Sequence, residues 1–290
     1  MSTGEKTPSS PASPSYASRS PDGMTQSAPA FGPLLLNSVV LALIASILMV
    51  FLHELSHLVA GIALGHPSTL YPFGVIHHGS PSERDEAVMA LVGPAFSLVT
   101  GVLMQLWTPL RRRGGSAYLL WLWFAFVSVQ EGIAYLCLTP FGAGDTGAAA
   151  RLLGIPVWVQ VIALLVGVAG MFANARAFAT HLARHAGSDN RVRQAMTLHT
   201  WLIGMGVSVV LSILYLAISP VELPAGDQIA IIAAGTALLV FAPMAHIFTR
   251  AVAGVPYEPL RLPRIPVAAL VVLALLVVGN VLLSAGVRFG

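Results

Sequence analysis

The amino-acid sequence predicts an all-α polytopic membrane protein of about seven transmembrane helices, with a re-entrant loop after the first. Three observations carry that expectation. Only 9% of the 290 residues are charged while 56% are hydrophobic, and mean hydropathy is +0.79. Soluble domains carry about 25% charged residues. The apolar runs reach about 20 residues or more, enough to cross a bilayer. Short breaks rich in Gly, Pro and Arg separate them.

Composition also excludes some chemistry. The single cysteine, Cys137, rules out an intramolecular disulfide and a cysteine-based zinc cluster. A net charge of +3, with the Arg residues in short loops between spans, fits membrane orientation and no nucleic-acid partner.

Taken in order, residues 1–32 form a Ser- and Pro-rich tail that lacks the apolar side chains for a core and is expected to be disordered. No charged segment leads directly into an apolar run with a small-residue cleavage site, so no cleaved signal peptide is expected. The first span covers 33–64, with Pro33 in the first turn and Gly65 at the cap. Residues 66–80 are too short and too broken to cross. Their aromatic, Pro and Gly content suits a loop over a wet cavity, with a short strand near 69–76 offering an edge to an extended peptide. Ser82 followed by Asp85 reads as a helix cap opening a second span at 87–107. The Gly93-Pro94 step within it opens the helix and brings its backbone near a neighbour. Further spans are expected at 116–138, 156–182, 195–218, 228–250 and 266–287, with a short helix at 148–153. The basic loops, at Arg111–Arg113, Arg184–Arg193 and Arg250–Arg264, alternate with acidic or neutral ones. That places the N-terminus in the cytoplasm and the C-terminus outside.

The chemistry centres on His53-Glu54-Leu55-Ser56-His57, inside an apolar helix. Residues four apart share a helical face, so both imidazoles reach one metal ion, and Glu54 stands where it takes a proton from a bound water. Ionisable groups in a membrane segment are costly and mark function, although two satisfied core histidines on a polar interhelical face account for the same pattern. A catalytic Zn2+ needs a third protein ligand. Asp145, in the Gly-rich break after the third span, is the leading candidate, and an N-cap for the following helix is its equal alternative. Glu131 competes as a buried acid within the third span, and His77 and His78 compete from the loop. His181, His185, His199 and His246 fall on the cytoplasmic side and are not expected to ligate.

These residues together resemble the site-2 protease family of intramembrane zinc metalloproteases. The resemblance rests on His-Glu-Leu-Ser-His in the first core helix, Gly93-Pro94 in the next, and Pro140 five residues before Asp145 after the third. It implies a three-helix catalytic membrane core, here 33–154, with one Zn2+ held by His53, His57 and Asp145 and with Glu54 as the catalytic base. It also implies hydrolysis of peptide bonds in transmembrane or membrane-associated substrates within the lipid bilayer. The chain departs from the family's pattern at three places: Cys137 and Ser97 stand where Asn is usual, and Thr146 where Gly follows the Asp. Residues 155–290, about four spans, form an accessory region that the resemblance does not explain. Two other classes share the ionisable residues: an inactive membrane protein with a structural or sensory metal site, and a metal or solute transporter.

Overall fold

A computed structural model describes residues 31–107, 114–186, 189–249, 251–252, 255–256, 258 and 260–290. Nearly all of the expected tail, and the basic loop Arg111–Arg113, lie outside the described residues; Phe31 and Gly32 already belong to the first helix. Helix α1 spans Phe31–Ala63 and is followed by strands β1 (Ser68–Tyr71) and β2 (Gly74–His77). Helices α2 (Glu83–Leu106), α3 (Ser116–Leu138), α4 (Gly144–Leu152) and α5 (Val157–Ala186) come next. Helix α6 (Asn190–Gln194) runs through a π-helical turn, Ala195–His199, into α7 (Thr200–Ile218). The chain ends with α8 (Ala225–Ala237), α9 (Ala245–Phe248), α10 (Val267–Leu283) and strand β3 (Val287–Phe289).

Six helical segments among the described residues are long and apolar enough to cross a membrane: Phe31–Ala63, Glu83–Leu106, Ser116–Phe141, Val157–Ala186, Asn190–Ile218 and Ala225–Phe248. The chain is thus a mostly helical, multi-pass membrane protein. The sixth is broken after Ala237, where the chain passes into a 3-10 turn at Ala242–Met244. Pro243 within that turn has no N–H to continue an α-helical ladder. The seventh expected span is shorter than 266–287: α10 has 17 residues, about 26 Å of helix against about 30 Å of hydrocarbon. It stops because Gly286 takes a left-handed φ of +80° and turns the chain into β3.

Helices α1 and α3 are the inner pair, buried over most of their length, while α2, α5 and α7 turn most of theirs outward. Lipid tails are as apolar as Leu, so helices here are held by close packing and interhelical hydrogen bonds. Glycines supply the close packing. A Cβ on Gly132 of α3 would lie 2.6 Å from Leu98 Cβ of α2, and one on Gly167 of α5 would lie 2.6 Å from Cys137 Sγ. Buried polar side chains supply the bonds. Ser38 Oγ of α1 accepts from Trp123 Nε1 of α3 at 3.1 Å and from Thr200 Oγ1 of α7 at 2.8 Å. Asn174 of α5 accepts from Gln105 of α2 at 2.7 Å and donates to the Phe126 carbonyl of α3 at 3.0 Å.

The re-entrant segment is a hairpin rather than one strand. In the antiparallel sheet β1 is central, pairing Ser68 with His77 and Tyr71 with Gly74 on β2, and Ser68 with Phe289 and Leu70 with Val287 on β3. The pairing draws the C-terminal end of α10 to the face where α1 ends. No described strand pairs with the outer edge of β2.

Close packing at Gly101 has a measurable consequence. A Cβ there would meet the Val129 backbone nitrogen and come within 2.6 Å of Val129 Cγ2, whereas one at Gly279 meets nothing within 4 Å. Gly101→Ala is expected to cost about 1–3 kcal/mol through overpacking. Gly279→Ala is expected to be neutral or slightly stabilising, because alanine forms helix more readily than glycine. Thermal unfolding of the two purified variants checks this, and equal shifts would contradict the packing of α2 on α3.

Candidate metal centre

The site is assembled from three elements. His53 and His57 lie one turn apart on the inner face of α1, and both are buried. Asp145 lies in the first turn of α4, carried there by the 3-10 turn Thr139–Phe141 at the end of α3. Of the two roles open to Asp145, capping is not the one it takes. The N-cap of α4 is Ala143, without a side-chain bond, and the Asp145 carboxylate turns to the histidines.

The three side chains converge. His53 Nε2 lies 2.9 Å from His57 Nε2, and Asp145 Oδ2 lies 3.0 Å from the first and 3.3 Å from the second. Among the described residues this is the one group of His, Cys, Asp and Glu side chains arranged to hold a metal ion. Bonds of about 2.0–2.1 Å in a tetrahedral zinc site put neighbouring donor atoms about 3.3 Å apart, so the three atoms stand slightly inside that spacing.

The far side of each imidazole decides which nitrogen is free. His57 Nδ1 is 2.6 Å from the Met89 carbonyl oxygen, which only accepts, so Nδ1 carries the proton and Nε2 a lone pair. His53 Nδ1 is 3.1 Å from Ser97 Oγ. The Ser97 hydroxyl donates to Glu131 Oε2 at 2.8 Å, leaving its oxygen to accept from His53 Nδ1. Glu131 Oε1 stands 3.5 Å from the same nitrogen. Two imidazole lone pairs and a carboxylate oxygen therefore face one another across a narrow gap. One shared proton relieves one of those contacts, while a divalent cation relieves all three. The donor set fits Zn2+, with partners on the outer nitrogens as metal-ligating histidines generally have.

Gly93 makes the approach of α2 possible: a Cβ there would lie 2.6 Å from His53 Nε2 and nearer still to His57 Nε2. Pro94, inside the helix, leaves the turn before it one backbone bond short. Tyr135 of α3 covers His53, with ring centroids 5.2 Å apart and planes 13° from parallel. His53 is 1% exposed and the Asp145 side chain 28%, so the site opens on the Asp145 side.

Glu54 is outside the converging set. It lines a cavity of about 970 Å3 together with His57, Asp145 and Tyr135, the strand β2, and parts of α7, α8 and α10.

The remaining candidates find other partners. Glu131 is not a ligand but the acceptor behind His53, a role invisible in spacing because Ser97 of another helix mediates it. His77 and His78 bond to Ser68 Oγ and Thr69 Oγ1, each at 2.8 Å, and so brace the hairpin instead of facing solvent. Burial, with His57, His66 and His78 nearby, holds His77 below its usual value. His66 of the turn after α1 pairs with Asp85 in the first turn of α2 at 3.3 Å. His181 meets the Tyr118 hydroxyl, His185 the Glu258 carbonyl, His246 the Thr197 hydroxyl, and His199 the edge of Phe31.

No protein-family model, curated protein or solved structure matches this chain.

The geometry generates a metal-binding expectation. Purified full-length protein should bind one Zn2+ per chain, and His57→Ala or Asp145→Asn should abolish tight binding. Glu131→Gln should keep the stoichiometry and weaken affinity by about 10–100-fold, the usual effect of losing an outer partner. Competition against a chromophoric chelator measures each. Unaltered affinity in Glu131→Gln would contradict the chain from His53 through Ser97 to Glu131.

Proposed function

We propose that this chain is an intramembrane zinc metalloprotease, hydrolysing peptide bonds of transmembrane or membrane-associated proteins. The observation that carries the reading is the meeting of His53, His57 and Asp145 at one point, with the Glu54 carboxylate on the wall of the same cavity. The order of the motifs along α1, α2 and α3 supports it, through the resemblance to site-2 proteases. We read the chain as crossing the bilayer seven times from a cytoplasmic N-terminus. The pairing of β3 with β1 supports an odd number of crossings, since it brings the end of α10 to the face where α1 ends.

The donor count favours catalysis over a structural metal. Structural zinc sites are closed by four protein ligands, whereas three with an open position are the catalytic pattern. Glu131, held by Ser97 on the outer side of His53, fits a fixed support better than a station on an ion path.

A divalent metal at the three ligands would acidify a bound water and polarise the scissile carbonyl. The residues of the chain do the rest. Glu54 takes the proton of the attacking water and returns it to the leaving amine nitrogen. Ser97 and the Met89 carbonyl hold the imidazoles with Nε2 inward. Tyr135 screens His53 from bulk water. The outer edge of β2, which lines the cavity, receives substrate in extended form, because the peptide bonds of an intact helix are shielded. The hydrophilic break at the end of α3 gives water its way in.

Glu54→Gln should retain one Zn2+ per chain and lose at least about 10²-fold in cleavage of a membrane-embedded reporter, the low end of the usual contribution of general acid–base catalysis. Cleavage followed in proteoliposomes by gel mobility checks it. Undiminished cleavage by the variant would remove Glu54 from the mechanism.

A further inference from the structure

The cavity at the metal centre extends to helices outside the three that build the site. Its other walls come from α7, α8 and α10, and they carry polar groups among apolar ones. Ser208, Ser212 and Tyr215 follow one another at helical spacing on one face of α7, and all three line the cavity. Ser212 is explained by packing, since its hydroxyl would lie 3.0 Å from a Cβ on Gly235 of α8. Tyr215 is not. It is 6% exposed, and its hydroxyl makes no hydrogen bond of normal geometry with the protein. It faces Asn280, the one hydrogen-bonding side chain in the sequence VAALVVLALLVVGNVLL of α10. Asn280 lines the same cavity.

A hydroxyl set among apolar helices is costly while it lacks a partner, and the Asn280 amide beside it brings further donor and acceptor capacity to the same cavity wall. Both are neutral and offer donors as well as acceptors, which suits a neutral ligand that carries both. A peptide group, with one N–H and one C=O, complements the amide of Asn280.

Strand β2 adds a second, independent reason. Its outer edge borders the cavity, and no described strand covers it. A peptide laid along that edge satisfies one side of its backbone and leaves the other side bare. In a space walled largely by apolar helices the bare groups gain from partners, since non-helical backbone is tolerated at membrane depth only where protein or a wet cavity meets it.

We propose that Tyr215 and Asn280 form a substrate subsite that bonds the main-chain groups of an unwound transmembrane segment lying along β2 beside the metal centre. The subsite rests on the protease reading above. It gives α7 and α10 a role in substrate choice: they favour segments that unwind readily, because the peptide groups of an intact helix are already bonded internally.

The test uses full-length, zinc-loaded Glu54→Gln protein in nanodiscs. The probe is a fluorescent Leu/Ala transmembrane peptide of about 20 residues with a central Asn-Pro-Gly, compared with its Leu/Ala counterpart lacking that triplet. Fluorescence anisotropy is expected to show preferential binding of the Asn-Pro-Gly peptide. Adding Tyr215→Phe or Asn280→Leu is expected to weaken that binding by about two- to tenfold, the loss of one neutral hydrogen bond, and the two together to erase the preference. Tyr215→Phe keeps the ring, and retained zinc reports an intact core in each variant. In addition, a photo-crosslinking residue at Leu211, which also lines the cavity, is expected to capture the Asn-Pro-Gly peptide. Binding of neither peptide, unchanged affinity in both variants, or no capture from position 211 overturns the subsite. A chain that binds no zinc overturns the protease reading instead, so the two failures are told apart.

Discussion

Three electron-pair donors placed about 3 Å apart in a largely buried site repel one another unless something positive lies between them. Here they are two imidazole nitrogens and a carboxylate oxygen, held so by contacts from α2 and α4. Met89 and Ser97 point the lone pairs inward by occupying the opposite nitrogens. Gly93 lets α2 come close enough to provide those partners. Asp145 arrives from α4, delivered by the tight turn that ends α3. A cation at their centre would turn that mutual repulsion into attraction, and its binding energy would then be linked to folding energy.

The surrounding architecture follows from the solvent. With no hydrophobic force between helices in lipid, α1, α2, α3 and α5 are joined by glycine contacts and by a few buried hydrogen bonds such as those of Ser38 and Asn174. The same small-residue packing that stabilises the bundle also brings α2 onto the imidazoles. Stability and site geometry therefore share residues. The β-hairpin after α1 is braced by its own histidines on Ser68 and Thr69 and is paired on the β1 side by β3, so that among the described residues the outer edge of β2 has no strand beside it.

Much of this was legible in the sequence because it rests on local pattern. Apolar run length marked the helices, and α3 begins and ends at the residues expected. The spacing of His53 and His57 marked a shared face, and Ser82 caps α2 through the Asp85 amide as its spacing implied. What stayed hidden depends on contacts between distant segments. Glu131 looked like a rival ligand because spacing cannot reveal that Ser97 of another helix stands between it and His53. That Asp145 does not cap α4 but lies beside the two imidazoles depends on how the chain enters the helix at Ala143, which spacing does not reveal. Strand β3 is three exposed residues at the end of an apolar run, and its partner lies more than two hundred positions earlier, so no local signal announces it. Tyr215 and Asn280 come to the wall of one cavity from two helices by the same kind of long-range meeting.

We propose that His53, His57 and Asp145 bind one zinc ion in common. X-ray absorption at the zinc edge of the purified, zinc-loaded protein reads that coordination. A first shell of nitrogen and oxygen at about 2.0–2.1 Å is expected, with outer-shell scattering from two imidazoles and no sulfur. A protein that retains no zinc, or a shell with sulfur or fewer than two imidazoles, would contradict it.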